Sequence, residues 1–139
     1  MAVDAIIQQV AAIAAAIPGI IKAWDKAPES LNELPAAVAV PSTGAIQYPR
    51  VPGLRQSEHV IKLILFFSRG DLPTADAQAR PFIDQVVRTF DQHLTLGGSV
   101  AASGITDYKY GKVSWAGVDY LGVEFSLRAV EREVGNYAP

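Results

Sequence analysis

Cysteine is absent from this 139-residue chain. That excludes disulfides, thiol nucleophiles and thiolate-ligated metals. Histidine is scarce, and the two present, His59 and His93, do not fall at a metal-ligand spacing. No run of lysine or arginine occurs and the net charge is −2, so composition gives no reason to expect specific nucleic-acid binding. No phosphate-cradling motif is present. Gly97-Gly98-Ser99 and Gly104 form neither a P-loop nor a dinucleotide fingerprint, and Gly97-Gly98 follows a helical pattern, the wrong end for anion binding. Long apolar runs are missing too. The stretch from Ala5 to Ile21 is broken by Gln8 and Gln9, starts behind Asp4 and has no Lys or Arg before Lys22. That makes a poor secretory signal and a span too short for a membrane. The expectation is a chain made in a cytoplasm, with no membrane segment, cofactor, metal or catalytic residue.

What is there is ordinary globular usage. Half the residues (50%) are hydrophobic and 19% are charged, which suits a single domain over residues 1–139 with one core. Val3, Ile6, Ile7, Val10, Ile13, Ala14 and Ile17 recur at helical spacing, and Pro18-Gly19 is positioned to stop that helix. Residues 22–33 read as a polar connector. A short apolar run, Leu34 to Pro41, is fenced by prolines and reads as a short strand at or near a sheet edge.

Ser42 to Ser57 then reads as a long loop rich in proline and glycine. Loops of this length in compact domains are usually functional or disordered. Ile46, Tyr48, Val51 and Leu54 are apolar, Arg50 and Arg55 are its only charges, and Pro49 and Pro52 favour an extended arm. Both readings stay open: the arm folds back on its own domain, or it inserts into a neighbouring subunit.

From Glu58 to Phe67 a central strand alternates. His59, Ile61, Leu63, Leu65 and Phe67 point one way, and Val60, Lys62, Ile64 and Phe66 the other, so both faces need cover near Phe66. A second helix follows, capped by Asp71 or Thr74, with Phe82, Ile83, Val86, Val87, Phe90 and Leu94 as its stripe. Pro81 is expected to open its main part after a short capped turn, and Gly97-Gly98 to end it. Ile105 to Trp115 and Val118 to Glu131 read as two strands joined at Ala116-Gly117. Residues 133–139 have no period and read as a C-terminal tail, mobile or docked on a partner. The order implies an α+β fold: a mostly antiparallel sheet of about four strands packed with two helices, with the long loop between the first two strands.

Each possible chemical constellation has a plainer structural account. Asp71 and Asp76 flank a helix start, where acids favour the dipole. Glu131 and Glu133, alternating with Arg132, read as a solvated strand edge. Ser57, His59 and Asp119 have the residue types of a hydrolytic triad, but no nucleophile elbow accompanies them. Tyr108, Tyr110, Trp115 and Tyr120 have the residue types of a stacking platform for single-stranded nucleic acid, but sheet packing or an interface is the better reading. Lys62 and Glu124 are each the one charge among apolar neighbours of their strand face and could form a cross-strand ion pair if the two strands pair.

Several of these segments together resemble the tail terminator (tail completion) proteins of long-tailed bacteriophages. The resemblance is carried by Val3 to Ile17 with its following Pro18-Gly19, Leu34-Pro35-Ala36-Ala37-Val38-Ala39-Val40-Pro41, His59 to Phe67, Phe82 to Leu96 with its following glycine, and Gly117 to Glu131. It spans most of the chain in order. It implies a virion structural protein and not an enzyme: a homohexameric ring, assembled in the host cytoplasm, at the head-proximal end of the tail. Such a ring caps the tail tube protein, ends its polymerisation and receives the head–tail connector or a neck protein. The expected interface residues are Ile46, Tyr48, Arg50, Val51, Leu54, Arg55, Trp115 and Tyr137. A head–tail joining or neck protein is the alternative within this class. Outside it stands a small-molecule-binding or enzymatic α+β domain with its site near the Tyr108–Tyr120 hairpin.

Overall fold

The computed structural model describes residues 3–49, 53–68 and 70–134. Its elements in order are α1 (Val3–Ala15), β1 (Lys22–Trp24), β2 (Ala36–Gln47), β3 (Leu54–Phe67), α2 (Leu72–Asp91), β4 (Ala102–Trp115) and β5 (Val118–Val134). The strands form one five-stranded sheet in the order β1-β2-β3-β5-β4. Every neighbouring pair is antiparallel except β1 with β2. The fold is α+β, as the element pattern implies, with five strands where about four were expected. The extra strand is β1, three residues inside the stretch read as a connector. So short a strand carries no readable period.

Alternation sets the core. Ile61 pairs with Leu127, Leu63 with Phe125 and Leu65 with Val123, and all six side chains are fully buried on one sheet face. α1 and α2 cover that face with Ile6, Val10, Ala14, Phe82, Val86 and Phe90. The opposite face is covered only in part. Ala36, Val38, Ile64, Phe66 and Tyr120 make a second cluster under Leu31 and Leu34, so the Phe66 end is buried on both sides, as its sequence demands.

Three expectations are corrected. The segment Ser42–Ser57 is largely not a loop: β2 runs on to Gln47 and β3 begins at Leu54, paired through Ile46 with Ser57 and Gln47 with Gln56. Pro41 does not end β2. The register shifts between Pro41 and Thr43, and β1 has already stopped at Trp24 opposite Val38, so Pro41 stands on an edge strand beside a bulge, where proline is tolerated.

Second, α2 is one continuous helix with Pro81 inside it, its N-terminus capped by Asp71 accepting from the Thr74 N–H. It ends at Asp91, before the glycines, because the chain turns over His93 to Val100. Leu94 is therefore exposed rather than part of the stripe, and Leu96, at φ +47°, is the buried residue. Third, Glu133 belongs to β5 instead of opening a tail; residues 135–139 lie outside the described residues. The Ala116-Gly117 turn holds, both residues adopting positive φ (51° and 79°) as a two-residue hairpin turn of type I′ requires.

Candidate functional site

The expected interface residues separate into groups. Ile46 and Tyr48 sit at the end of the β2–β3 hairpin, 48% and 46% exposed. These are large apolar groups that their own fold leaves in solvent. Leu54 starts the returning strand and is half-buried. Arg55 is already engaged: its guanidinium donates to Glu133 across the β3–β5 pair. The longer β3 places it opposite Glu133 in register. Arg50, Val51 and Tyr137 lie outside the described residues.

Trp115 is at the other end of the sheet. Its ring stands edge-on to Phe66 at 5.8 Å, and its indole N–H donates to the Pro28 carbonyl at 2.9 Å. It anchors the segment covering the second cluster and stays partly exposed.

The polar groups considered for chemistry are rearranged as well. Asp119 is in the β4–β5 turn region beside Ser114, 2.5 Å from its hydroxyl, and Lys112, at 3.8 Å. It does not join Ser57 and His59. Glu131 does: its Oε1 lies 3.2 Å from His59 Nε2, and Ser57 faces it directly in the β3–β5 register. Ser57, His59 and Glu131 are 0%, 6% and 7% exposed. Glu131 is therefore not on a solvated edge. The alternation of β5 continues unbroken past Ala129 and turns it to the inner face. A line of polar side chains on a buried face has to be hydrogen-bonded, and His59–Glu131 meets that need, while Ser57 Oγ finds no partner among the described residues.

Sequence reading missed this pair because the β3–β5 register decides it. The only signal was that residues 59 and 131 each continue an apolar alternation.

The expected Lys62–Glu124 pair is absent for the same reason. Lys62 lies opposite Ser126 and donates to its hydroxyl at 2.7 Å, whereas Glu124 lies opposite Ile64 and Lys109.

The four aromatic residues do not form a platform. Tyr108 and Tyr110 are on the helix-side face, exposed, and Tyr108 packs against Phe125 at 6.4 Å between ring centroids. Trp115 and Tyr120 belong to the opposite face and pack on Phe66. Tyr110 instead clasps the sheet to α2. Its hydroxyl donates to Asp76, which also accepts from Arg80 at 3.1 Å. The Tyr110 and Arg80 hydrogen bonds hold the Asp76 carboxyl below its ordinary value. Burial first, and the Asp76 carboxylate second, push the Tyr110 phenol up.

Two shallow concavities flank β4. One of about 330 Å³ lies between Arg80, Ile83, Tyr108 and Tyr110. The other, of about 420 Å³, is lined by Leu72, Lys112, Asp119, Tyr120 and Leu121. Among the described residues, no cluster of three or more His, Asp or Glu side chains is placed to hold a metal ion, and no helix is long and apolar enough to cross a membrane. No protein-family model matches the chain, and no curated protein matches it.

Proposed function

We propose that this chain is a structural ring protein of a phage-like tail, acting by binding. The observation that carries the reading is the β2–β3 hairpin. It presents Ile46 and Tyr48 to solvent at its end, while the core beneath it is complete without them. Apolar groups that gain burial only in an assembly make assembly favourable. In this reading a homo-oligomer, hexameric as the tail-terminator resemblance implies, docks on the last ring of tail tube subunits and covers their growing surface. Its other face receives the head connector or a neck protein. The site of action is the head-proximal end of the tail in the virion, after assembly in the host cytoplasm. A head–tail joining role rests on the same hairpin and differs only in the partner.

The second reading, a small-molecule-binding domain, is favoured by the concavity at Tyr120 and Leu121 near the β4–β5 hairpin. Mass measurement of the purified protein with and without tail tubes, beside electron microscopy of tube lengths, separates them. Capped tubes of defined length, with the protein at their ends, support the ring. Tubes that lengthen unchecked in its presence refute it.

A further inference from the structure

Among the described residues the sheet has two open stretches of edge. β1 pairs with β2 only from Ala36 to Val38, so among the described residues the outer side of β2 from Ala39 to Gln47 meets no strand. Pro41 to Gln47 are all exposed there. At the other side β4 pairs only with β5, so among the described residues no strand meets its outer edge. A strand edge is a row of backbone donors and acceptors whose natural complement is another strand.

The usual guards against such pairing are unevenly placed. β4 carries Lys109, Lys112 and a register shift between Ile105 and Asp107, but nothing charged from Ala102 to Ile105. β2 carries Pro41 and its own shift, but no charge or proline from Thr43 to Gln47.

The two unguarded stretches overlap in height, Thr43–Ala45 with Ala102–Gly104. Thr43 pairs with Val60, Val60 with Arg128 and Arg128 with Gly104. Gly44 leads likewise through His59 and Ala129 to Ser103, and Ala45 through Glu58 and Val130 to Ala102. The three antiparallel steps from β2 to β4 also make the two edge strands run in opposite directions. Copies related by rotation about an axis along the strands therefore bring β4 of one beside β2 of the next, antiparallel, unguarded stretch to unguarded stretch. A twofold pairing of β4 with β4 would bring Lys109 and Lys112 of both copies together, and any twofold pairing leaves one edge bare on each copy. The head-to-tail contact uses both edges, and a rotation that closes makes it a ring.

We infer that the Thr43–Gln47 edge of one copy adds, through Thr43–Ala45, as an antiparallel strand to Ala102–Gly104 of a second copy of this chain. The inference rests on the ring reading for its setting and names the contact that makes the ring.

The absence of cysteine makes the test clean, since introduced thiols are the only ones. Ala45→Cys is combined in separate full-length variants with Ala102→Cys, Ser103→Cys and Gly104→Cys, and each single variant is the control. Within one chain these positions are three strand spacings apart, about 14 Å, too far for a disulfide, whose Cα atoms lie within roughly 7 Å. Under mild oxidation at least one double variant is expected to give a ladder of linked oligomers ending in a closed species. The singles are expected to stay unlinked, and a mixture of two complementary singles to stop at the dimer. On the unmodified protein, hydrogen exchange at the Thr43–Gln47 and Ala102–Ile105 amides is expected to slow as concentration rises; this measurement stands even if a cysteine variant fails to fold.

Linked dimers from a single variant would show twofold pairing and overturn the inference. Oligomers by mass with neither linkage nor edge protection would overturn it while leaving the ring reading standing on another surface. A monomer at every concentration, with both edges exchanging freely, would also overturn it, and tube capping would then decide the ring reading separately.

Discussion

At the scale of single residues, packing and polarity make opposite demands on one sheet face. Phe125 is fully buried on the face of the sheet that the helices cover, so Phe125→Ala is expected to cost about 3–5 kcal/mol, read as a lowered denaturation midpoint. Past Leu127 and Ala129, at Glu131, the same face becomes polar. Glu131→Ala leaves His59 buried without its carboxylate and is expected to destabilise by about 1–3 kcal/mol. Ser57→Ala removes a buried hydroxyl that finds no partner among the described residues and is expected to be neutral or stabilising. Equal losses in both variants would contradict this account of the pair.

Tyr110 gives a pH signature. Its phenol is raised by burial and by Asp76, so its share of stability is full below the ordinary tyrosine value of about 10 and is lost as pH rises through the higher folded value. The Asp76 carboxyl is lowered by Tyr110 and Arg80, so its share is present above the ordinary carboxylate value of about 4 and is lost as pH falls through the lower folded value. Phenolate absorbance of the native protein minus that of Tyr110→Phe is expected to titrate above 10. Asp76→Asn lowers that titration only in part, because burial is the larger cause.

At the scale of elements, close approach is the constraint least visible in a sequence. A Cβ at Gly122 would stand 2.7 Å from the Leu65 carbonyl and 2.7 Å from Val113 Cγ2. The carbonyl is fixed in the β3–β5 ladder and cannot yield. Gly122→Ala is expected to destabilise by about 1–3 kcal/mol, whereas Gly104→Ala, with open space around it, is expected to change little; chemical denaturation of the two compares them directly.

What was legible follows from period. The inward residues of β3 and β5 and the stripe of α1 came from simple alternation and helical spacing, since a buried face writes its period into the chain. β1 was illegible because three residues hold no period. The hairpin was illegible because Pro41, Gly44, Pro49 and Gly53 mark loops locally, yet a bulge and a free edge let β2 run through the first two of them. Asp119 and Glu131 changed places beside His59 because register, a long-range quantity, decides which residues of two strands meet. The same holds for Arg55 and Glu133, each an ordinary surface charge until the strands are aligned.

At the scale of the whole molecule, the hairpin makes two separable offers: the backbone edge of β2 and the side chains at its end. Ile46 and Tyr48 belong to the second. Neither is needed by the core, so Ile46→Thr with Tyr48→Ser is expected to move stability by no more than about 0.5 kcal/mol per site. Threonine keeps the strand preference at position 46, so the main-chain edge survives. If the edge joins copies to one another and the exposed side chains meet the tube, the double variant separates the two contacts. Rings are expected to form, read as an unchanged oligomeric mass, but tubes assembled in their presence are expected to overrun the length set by the unaltered protein, read by electron microscopy. Loss of rings with the fold intact would place these side chains between subunits instead. Tubes ending at normal length on normal rings would remove the hairpin end from partner binding altogether.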